Sequence, residues 1–277
     1  QSGKRVSIGL IRLAHIDKMY PLAQALYAQD APDGSRIHLC VYHSQYPLLL
    51  RSAIERRLDA ALTRHNPLAL FSLPDIRARL DGCLAEDHLF IVLSSPVSEV
   101  GRDHSYSWVI AEPSSMRSLI QLSGRVRRHW PEVYTSQNLL ILQHSLAAWL
   151  GNQPAYCRPG FENGSFALKA HDLATILPET DYRHPDARPR LLPRADLQPG
   201  YRLVDLEHAQ LAADLNQTHT PPVGEVKALS LGYALPAAGP YHAPACMVPC
   251  KERNPSAKAM AKSGRWCCCR MAKAVSV

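Results

Sequence analysis

Short apolar runs alternate with amphipathic stretches along the first half of the chain. The runs predict strands, because they are rich in β-branched residues or bounded by polar segments: 6–11, 37–42, 88–93, 108–111 and 138–142. Apolar residues at helical spacing predict helices between them: 21–28, 47–63, 75–84, and from Ser114 or Ser115 to near His129. Strands that alternate with helices predict an α/β fold, with a mainly parallel sheet covered on both faces.

The clearest helical stripe lies in the segment 47–63. It is made of apolar residues at steps of four positions: Leu50, Ile54, Leu58 and Leu62. Pro47 precedes the stripe, at a position where the first turn of a helix tolerates proline. We therefore expect this stripe to face the sheet.

The pattern divides the chain into three parts. Residues 1–150 are expected to form one α/β domain. Residues 151–215 contain many prolines and Asp/Arg pairs, which predicts a loop-rich extension, and helical periodicity returns only at 203–215. Residues 216–277 show no sustained period, so they are expected to be disordered or to come from a shifted reading frame.

Charge and cysteine content separate the tail from the rest. The 277 residues carry a net charge of +7, but the tail alone has eight basic and two acidic residues, so the basic balance says little about the folded part. Five of the eight cysteines also lie in the tail. Three of them, Cys267, Cys268 and Cys269, are adjacent, so their side chains cannot all converge on one zinc ion. Three scattered cysteines in the body predict a reducing, cytoplasmic location. No apolar run reaches the roughly 18 to 20 residues of a membrane span.

The most specific chemical motif is Gln121-Leu-Ser-Gly-Arg-Val-Arg-Arg128. In a continuous helix, Arg125 and Arg128 would lie on one face, because they are three positions apart. Two guanidinium groups together suit the negative charge of a transferring phosphoryl group. The simpler interpretation is a basic last helical turn that favours the helix dipole.

A second motif follows the strand 88–93. Gly101 gives a turn in which backbone can approach phosphate, and Asp103 can accept hydrogen bonds from a ribose or an arginine. An ordinary connection between a strand and a helix would also explain these residues. The two motifs in this order, with a strand between them, are much less expected by chance.

A third segment ends the strand 37–42. His43 and Ser44 follow the strand, and Arg51 and Glu55 lie one turn apart on the next helix.

Together the three segments resemble motifs IV, V and VI of superfamily-two helicases. The stretches CVYHSQYPLLLRSAIERRLD, SSPVSEVGRDHSYSWVIAEPSSMRSLIQLSGRVRRH and AYCRPGFE resemble, more narrowly, the CRISPR-associated helicase–nuclease of type I systems, subtype I-F. The resemblance covers residues 6–215, and the second stretch carries most of its specificity.

The resemblance implies the second of two RecA-like lobes that close over ATP and Mg²⁺ and pull single-stranded DNA towards a metal-dependent nuclease domain. Arg125 and Arg128 would then face the γ-phosphate, with Gln121 nearby. Gly101 and Asp103 would couple the nucleotide to DNA. His43, Ser44 and Arg51 would line the DNA side. The family also implies two partners, an RNA-guided surveillance complex and a CRISPR adaptation protein.

Several parts of that machinery are missing from the sequence. There is no G-x-x-x-x-G-K-[ST] motif and no D-E-x-D/H motif, so the first lobe is expected upstream of Gln1 and the chain alone is expected not to hydrolyse ATP. We find no nuclease metal ligands either. His171-Asp172 lacks convergent partners and is expected to be a surface pair or a local helix cap.

Two other interpretations remain open from sequence. The chain could be a stand-alone nucleic-acid-binding module that acts through Arg117, Arg125, Arg127 and Arg128, although Trp130 is the only aromatic residue close to them. It could also be an inactive gene remnant, in view of its start at Gln1 and its unusual tail.

Overall fold

Five parallel strands form a single sheet. The computed structural model describes residues 3–99, 101–132 and 134–216. The strands lie in the order β2-β3-β1-β4-β5, and all neighbours are parallel. Their bounds are β1 Arg5–Arg12, β2 Ser35–Tyr42, β3 Asp87–Ser94, β4 Trp108–Ala111 and β5 Leu139–Ile141. All five agree with the apolar runs of the sequence.

Side chains on the two faces of the sheet enter different cores, because successive strand residues point to opposite sides. In β1, Ile8 and Leu10 join a core that includes residues of the helices α2 (Leu48–Leu62) and α3 (Pro74–Asp81). Ile11 packs instead in a smaller cluster with Met19 of helix α1 (Met19–Ala28). Helices therefore cover both faces, and the predicted RecA-like α/β sheet is confirmed.

The prediction that the apolar stripe of α2 faces the sheet is confirmed only in part. Leu58 and Leu62 are buried, and Ile54 packs against the same core. Leu50 is 46% exposed, because it lies in the first turn, which projects beyond the sheet core.

Helix α4 (Met116–Ser123) is shorter than the sequence predicted. It begins as expected, since the Ser115 side chain accepts a hydrogen bond from the Ser118 N–H at 3.1 Å. It ends at Ser123 rather than near His129, with Gly124 as its C-cap. The chain beyond is held by an isolated bridge to Tyr106 instead of by helical hydrogen bonds. Arg125 and Arg128 therefore do not share a helical face.

The extension after β5 is rich in loops, as predicted. Its helices are α5 Leu146–Trp149, α6 Leu173–Ile176, α7 Glu179–Arg183, α8 Arg188–Leu191 and α9 Leu203–Asn216. Although most of them are short, the extension is well packed. Leu173, Leu177 and Val204 form a buried cluster with Met116 and Leu119 of α4.

The pair His171-Asp172 has local structural roles. Asp172 caps α6, because its side chain accepts a hydrogen bond from the Ala174 N–H at 2.8 Å. The His171 Nε2 atom lies 2.9 Å from the Glu162 carboxylate. The prediction of a local helix cap is confirmed.

Two compact units divide the chain, Gln1–Ala209 and Gln210–Val277. Of the second unit, the structure describes 210–216, the last part of α9. The predictions for the tail, including its disorder and its cysteines, lie outside the described residues. The boundaries at 150 and 215 stay predictions. Within the described residues, no helix is both long and apolar enough to cross a membrane.

Candidate functional site

The loop between β3 and β4 carries the second predicted motif, and a glycine sets its path. A single 3-10 turn, Pro96–Glu99, follows β3. Gly101 then has a φ of +69°, a conformation that L-residues with a side chain rarely adopt. Among the described residues, and apart from its chain neighbours, no atom lies within 4 Å of the place where its Cβ would be, so the backbone here is open to approach.

A buried ion pair anchors this loop to the sheet and to α4. The Arg12 Nε atom lies 2.9 Å from Glu99 Oε1, and the two side chains are 0% and 5% exposed. The Ser118 hydroxyl donates to the same carboxylate at 2.7 Å and accepts from Arg12 Nη2 at 2.6 Å. Burial lowers the pKa of the Arg12 guanidinium, and the negative charges of Glu99 and Glu112 oppose that shift.

Arg125 supports the loop from inside the protein. Its Nη2 donates to the Glu99 carbonyl at 2.6 Å, and its Nη1 donates to the Arg102 carbonyl. The residue is 7% exposed, and burial lowers the pKa of its guanidinium. In this arrangement Arg125 binds the backbone on both sides of Gly101, so contact with a phosphate would require those bonds to be released.

Arg128 approaches the same loop from the solvent side. Its Nε lies 2.8 Å from Asp103 Oδ1, and both side chains are about half exposed. The two arginines therefore meet one loop, although turns rather than a helix bring them there. Arg128 is the one whose guanidinium is accessible to a ligand.

Asp103 also contacts two histidines. His129 Nε2 is 3.0 Å from Asp103 Oδ1, and His65 Nε2 is 3.6 Å from Oδ2. The pKa of Asp103 is lowered, chiefly by the hydrogen bond from His129 and then by the nearby positive charges. Asp103 is thus held in its charged form by several partners.

Among the described residues, His65, Asp103 and His129 are a group that could hold a metal ion, since one ligand atom of each lies within 4.8 Å of the others. The hydrogen bonds indicate instead that His129 binds Asp103 rather than a metal ion. His129 Nδ1 accepts from the Arg64 N–H at 2.9 Å, so in the neutral ring the proton lies on Nε2, which faces Asp103. Metal coordination through Nε2 would require the loss of that proton.

A second set of contacts ties the loop to α2. Arg102 Nη2 lies 2.6 Å from Glu55 Oε2, and its Nη1 lies 3.0 Å from Asp59. Glu55 also accepts from the Tyr42 hydroxyl at 2.7 Å and pairs with Arg51 at 3.5 Å. The hydrogen bond from Tyr42 is the main cause that lowers the pKa of Glu55. Glu55 therefore links the third predicted segment, at the end of β2, to the loop that carries the second motif.

The remaining predicted site residues lie in separate local settings. His43 stacks on Tyr46 with ring centroids 3.9 Å apart, and its buried Nδ1 has no hydrogen-bond partner among the described residues. Ser44 is exposed at the end of β2. Gln121 is half-buried on α4, two residues before the helix ends.

The sequence did not predict Arg64, His65 and Tyr134 as site residues. The first two follow α2 in a segment without periodicity, and only the tertiary fold brings them beside Asp103 and Trp130. Tyr134 lies 4.2 Å from the Arg127 guanidinium, which corrects the statement that Trp130 is the only nearby aromatic residue. Basic and aromatic residues occur together between 125 and 134, and this pattern could have pointed to Tyr134.

Comparison with known proteins identifies the family. Residues 5–131 match the family model described as CRISPR-associated nuclease/helicase Cas3, C-terminal. Over 249 residues, 87% of this chain, it is 47% identical to the CRISPR-associated nuclease/helicase Cas3 subtype I-F/YPEST of Pseudomonas aeruginosa. The chain belongs to the Cas3 family. The protein of the same name from Pectobacterium atrosepticum is 45% identical over 78% of the chain.

The chain spans less than a quarter of the length of these curated relatives, 23% and 20% respectively. Its relatives are named as nuclease/helicase enzymes. Solved structures of T. fusca Cas3 are more distant: the one with ATP has 17% identity and a TM-score of 0.37, over 55% of this chain and 16% of that one.

Proposed function

We propose that this Cas3-family chain is the second RecA-like lobe of an ATP-dependent motor that moves along single-stranded DNA and feeds a nuclease which degrades foreign DNA in CRISPR interference. The observation that carries the proposal is the meeting of Arg125 and Arg128 at the loop around Gly101. A loop held by one arginine and faced by another is suited to sense the γ-phosphate and to transmit its loss.

The two arginines would have different roles. Arg128 would move from Asp103 to the γ-phosphate and stabilise its developing charge. Arg125 would be a positioning residue that fixes the loop, because its Nη groups are engaged with backbone carbonyls. Gln121 would orient the nucleotide from α4, while Gly101 and Asp103 would couple it to DNA.

The residues present fit the phosphate groups of ATP better than Mg²⁺. Arg128 offers an accessible guanidinium, and the backbone at Gly101 is open. Asp103 is already engaged by Arg128 and His129, so we assign the Mg²⁺ ligands and the nuclease metal to other parts of the complete protein.

The DNA side would be formed by the end of β2 and the start of α2. His43, Ser44 and Arg51 lie there, and Glu55 connects Arg51 to Arg102 of the loop. A change in the bound nucleotide could therefore be transmitted to the DNA strand through the contacts from Arg102 to Glu55 and Arg51. The RNA-guided surveillance complex, the adaptation protein and the cytoplasmic location are proposals that rest on the family.

The test transfers this region into a relative. Residues 5–131 replace the matching region of the Pseudomonas aeruginosa protein, and ATP hydrolysis stimulated by single-stranded DNA is measured. We expect the chimera to be active and Arg128→Ala to lower its rate by about 10³-fold. The matched control is Arg77→Ala, since Arg77 is also an exposed arginine paired with an aspartate, at 2.7 Å.

Two results would contradict the proposal. A folded chimera without hydrolysis would favour an inactive remnant. Equal rates for the Arg128→Ala and Arg77→Ala variants would remove Arg128 from the nucleotide site.

Nucleic-acid binding without catalysis is a second candidate function. It is favoured by the stacking of Arg127 between Trp130 and Tyr134, at 3.9 and 4.2 Å. It predicts that the chain binds single-stranded DNA alone and that the chimera hydrolyses no ATP.

A further inference from the structure

A cleft of about 420 Å³ lies at the start of β1 and β4, away from the Gly101 loop. We call it the Trp130 cleft, and its lining includes Ser7, Ser107, Trp108, Arg127, Trp130 and Tyr134. Gln137 and Asn138 add side-chain amides to the wall. The cleft thus combines flat aromatic rings, a guanidinium and hydrogen-bonding groups.

Arg127 is directed into this cleft by an unusual backbone conformation. Its φ is +50°, in the left-handed region that residues with a side chain rarely adopt. Two backbone hydrogen bonds hold it there: Arg127 N–H donates to Tyr106 O at 2.8 Å, and Trp130 N–H donates to Arg127 O at 3.0 Å. The guanidinium then lies over the Trp130 ring at 3.9 Å and over the Tyr134 ring at 4.2 Å.

The cleft also has unbalanced positive charge. Arg64 is 6% exposed, lies over the Trp130 ring at 4.5 Å and donates to the Ser107 hydroxyl at 3.1 Å. Its Nε is buried without a hydrogen-bond partner, and among the described residues no carboxylate forms an ion pair with it. The pKa of Arg64 is lowered by burial and then by the charge of Arg127. The acidic neighbour of Arg127 is Glu132, at 3.6 Å and 78% exposed.

An anionic ligand with a flat ring would match both the aromatic lining and the positive charge of the cleft. The buried Arg64 guanidinium, which pairs with no carboxylate among the described residues, favours a phosphate, and the Tyr134 ring, which is half exposed, can stack on a base. A base inside a duplex is stacked on its neighbours, whereas a single strand can present one base to a protein ring.

We propose that the Trp130 cleft binds one nucleotide unit of single-stranded DNA, with the base against Tyr134 and Trp130 and the phosphate near Arg127 and Arg64. The inference rests on the proposed function in that the strand would be the one that the motor moves. It adds a contact point separate from His43, Ser44 and Arg51.

Binding of a fluorescein-labelled oligothymidylate to the full 277-residue chain tests this inference by fluorescence anisotropy. We expect Trp130→Ala and Tyr134→Ala each to raise the Kd by about tenfold, the usual loss for one stacked base. Arg127→Gln should lower the slope of log K against log salt by about 0.7, because one phosphate contact is lost.

Matched controls exist in the same chain. Trp149→Ala and Tyr27→Ala remove aromatic residues that are 76% and 86% exposed and lie outside the cleft, so they should leave the Kd unchanged. Circular dichroism confirms that each variant is folded. Tyr134→Phe keeps the ring and should bind like the unsubstituted chain.

Competition with ATP distinguishes a strand from a free nucleotide. We expect millimolar ATP to leave the oligothymidylate bound. Displacement of the oligothymidylate by micromolar ATP would overturn the inference. So would Kd values of the Trp130→Ala and Tyr134→Ala variants that equal the Kd of the unsubstituted chain. Because the measurement needs no ATP hydrolysis, its failure is distinguishable from failure of the chimera.

Discussion

Charged side chains have two different roles in this chain, according to whether they are exposed or buried. Arg128 and Asp103 form an exposed pair that can exchange partners, because water replaces either one at little cost. Arg12 and Glu99 form a pair that water does not reach. Removal of one member of such a pair leaves the other buried and uncompensated, which is far more costly than loss of a surface pair.

Glu99→Gln is therefore expected to lower the free energy of unfolding by about 3 kcal/mol, because the Arg12 charge would lose its buried partner. The control Glu86→Gln should change it by less than about 0.5 kcal/mol, since Glu86 is 72% exposed and lies 3.9 Å from Arg5. Urea denaturation followed by circular dichroism measures both. Equal losses in the two variants would show that the buried pair contributes no special stability.

The sequence could identify the residues of the candidate site but not their surroundings. The sequence singled out the motif around Gly101 and the motif around Arg125, and the fold brings the two together. Spacing alone could not show that Arg125 is buried and Arg128 exposed, because burial depends on which chain segment covers each side chain. His65 was missed since nothing in its local sequence points towards Asp103.

At the level of elements, regular strands and helices were predictable and their ends were not. Each strand is a short apolar run between polar segments, so local pattern and tertiary position agree. Helix α4 stops early because the Tyr106 bridge to Val126 competes for the backbone that would continue it. The four- and five-residue helices of the extension carry too few turns to show periodicity.

Strands β2 and β3 are joined by a histidine pair as well as by backbone hydrogen bonds. The His38 and His88 rings are stacked, with Nε2 of His38 2.9 Å from Nδ1 of His88. The His88 Nε2 atom lies 3.1 Å from the Ala85 carbonyl, so its Nδ1 can accept from His38 when both rings are neutral. Burial, and then the neighbouring positive charges, lower the pKa of His38 to about 4.

This pair predicts loss of stability in acid. An unfolded histidine takes up a proton near pH 6.5 and the folded His38 only near pH 4, so the free energy of unfolding should fall as the pH drops through that window. We expect His38 to account for about 1 kcal/mol, less than the full pKa difference implies, because the ring is only partly buried. Urea titrations at pH 7.5, 6, 5 and 4 measure it.

In His38→Phe the dependence should shrink but persist, since burial also lowers the pKa of His104. The exposed His184 supplies the control variant His184→Asn, which should keep the original profile. An unchanged profile in His38→Phe would contradict the prediction.

At the level of the whole unit Gln1–Ala209, the extension and the sheet share buried surface. Val204 of α9 packs in the cluster that contains Met116 of α4, and Leu206 lies in the neighbouring cluster with Tyr156. Damage to the extension should therefore reach the sheet through α4.

Leu206→Ala is expected to lower the free energy of unfolding by about 2 to 5 kcal/mol, because the side chain is fully buried and leaves a cavity. Thermal unfolding followed by both circular dichroism and tryptophan fluorescence should show one transition, shifted equally in the two signals. Leu191→Ala, at a position 71% exposed, is the control. Two separate transitions would mean that the sheet and the extension unfold independently.

Gly9 and Trp108 are register partners on β1 and β4, and the indole ring occupies the space of the missing side chain. A Cβ at residue 9 would lie 2.1 Å from the ring, so no larger residue fits while Trp108 keeps its place. Since Trp108 also forms a wall of the Trp130 cleft, the shape of the cleft depends on the lack of a side chain at Gly9 in β1. In evolution, position 9 is free to gain a side chain only if position 108, far along the chain, gives up its indole ring.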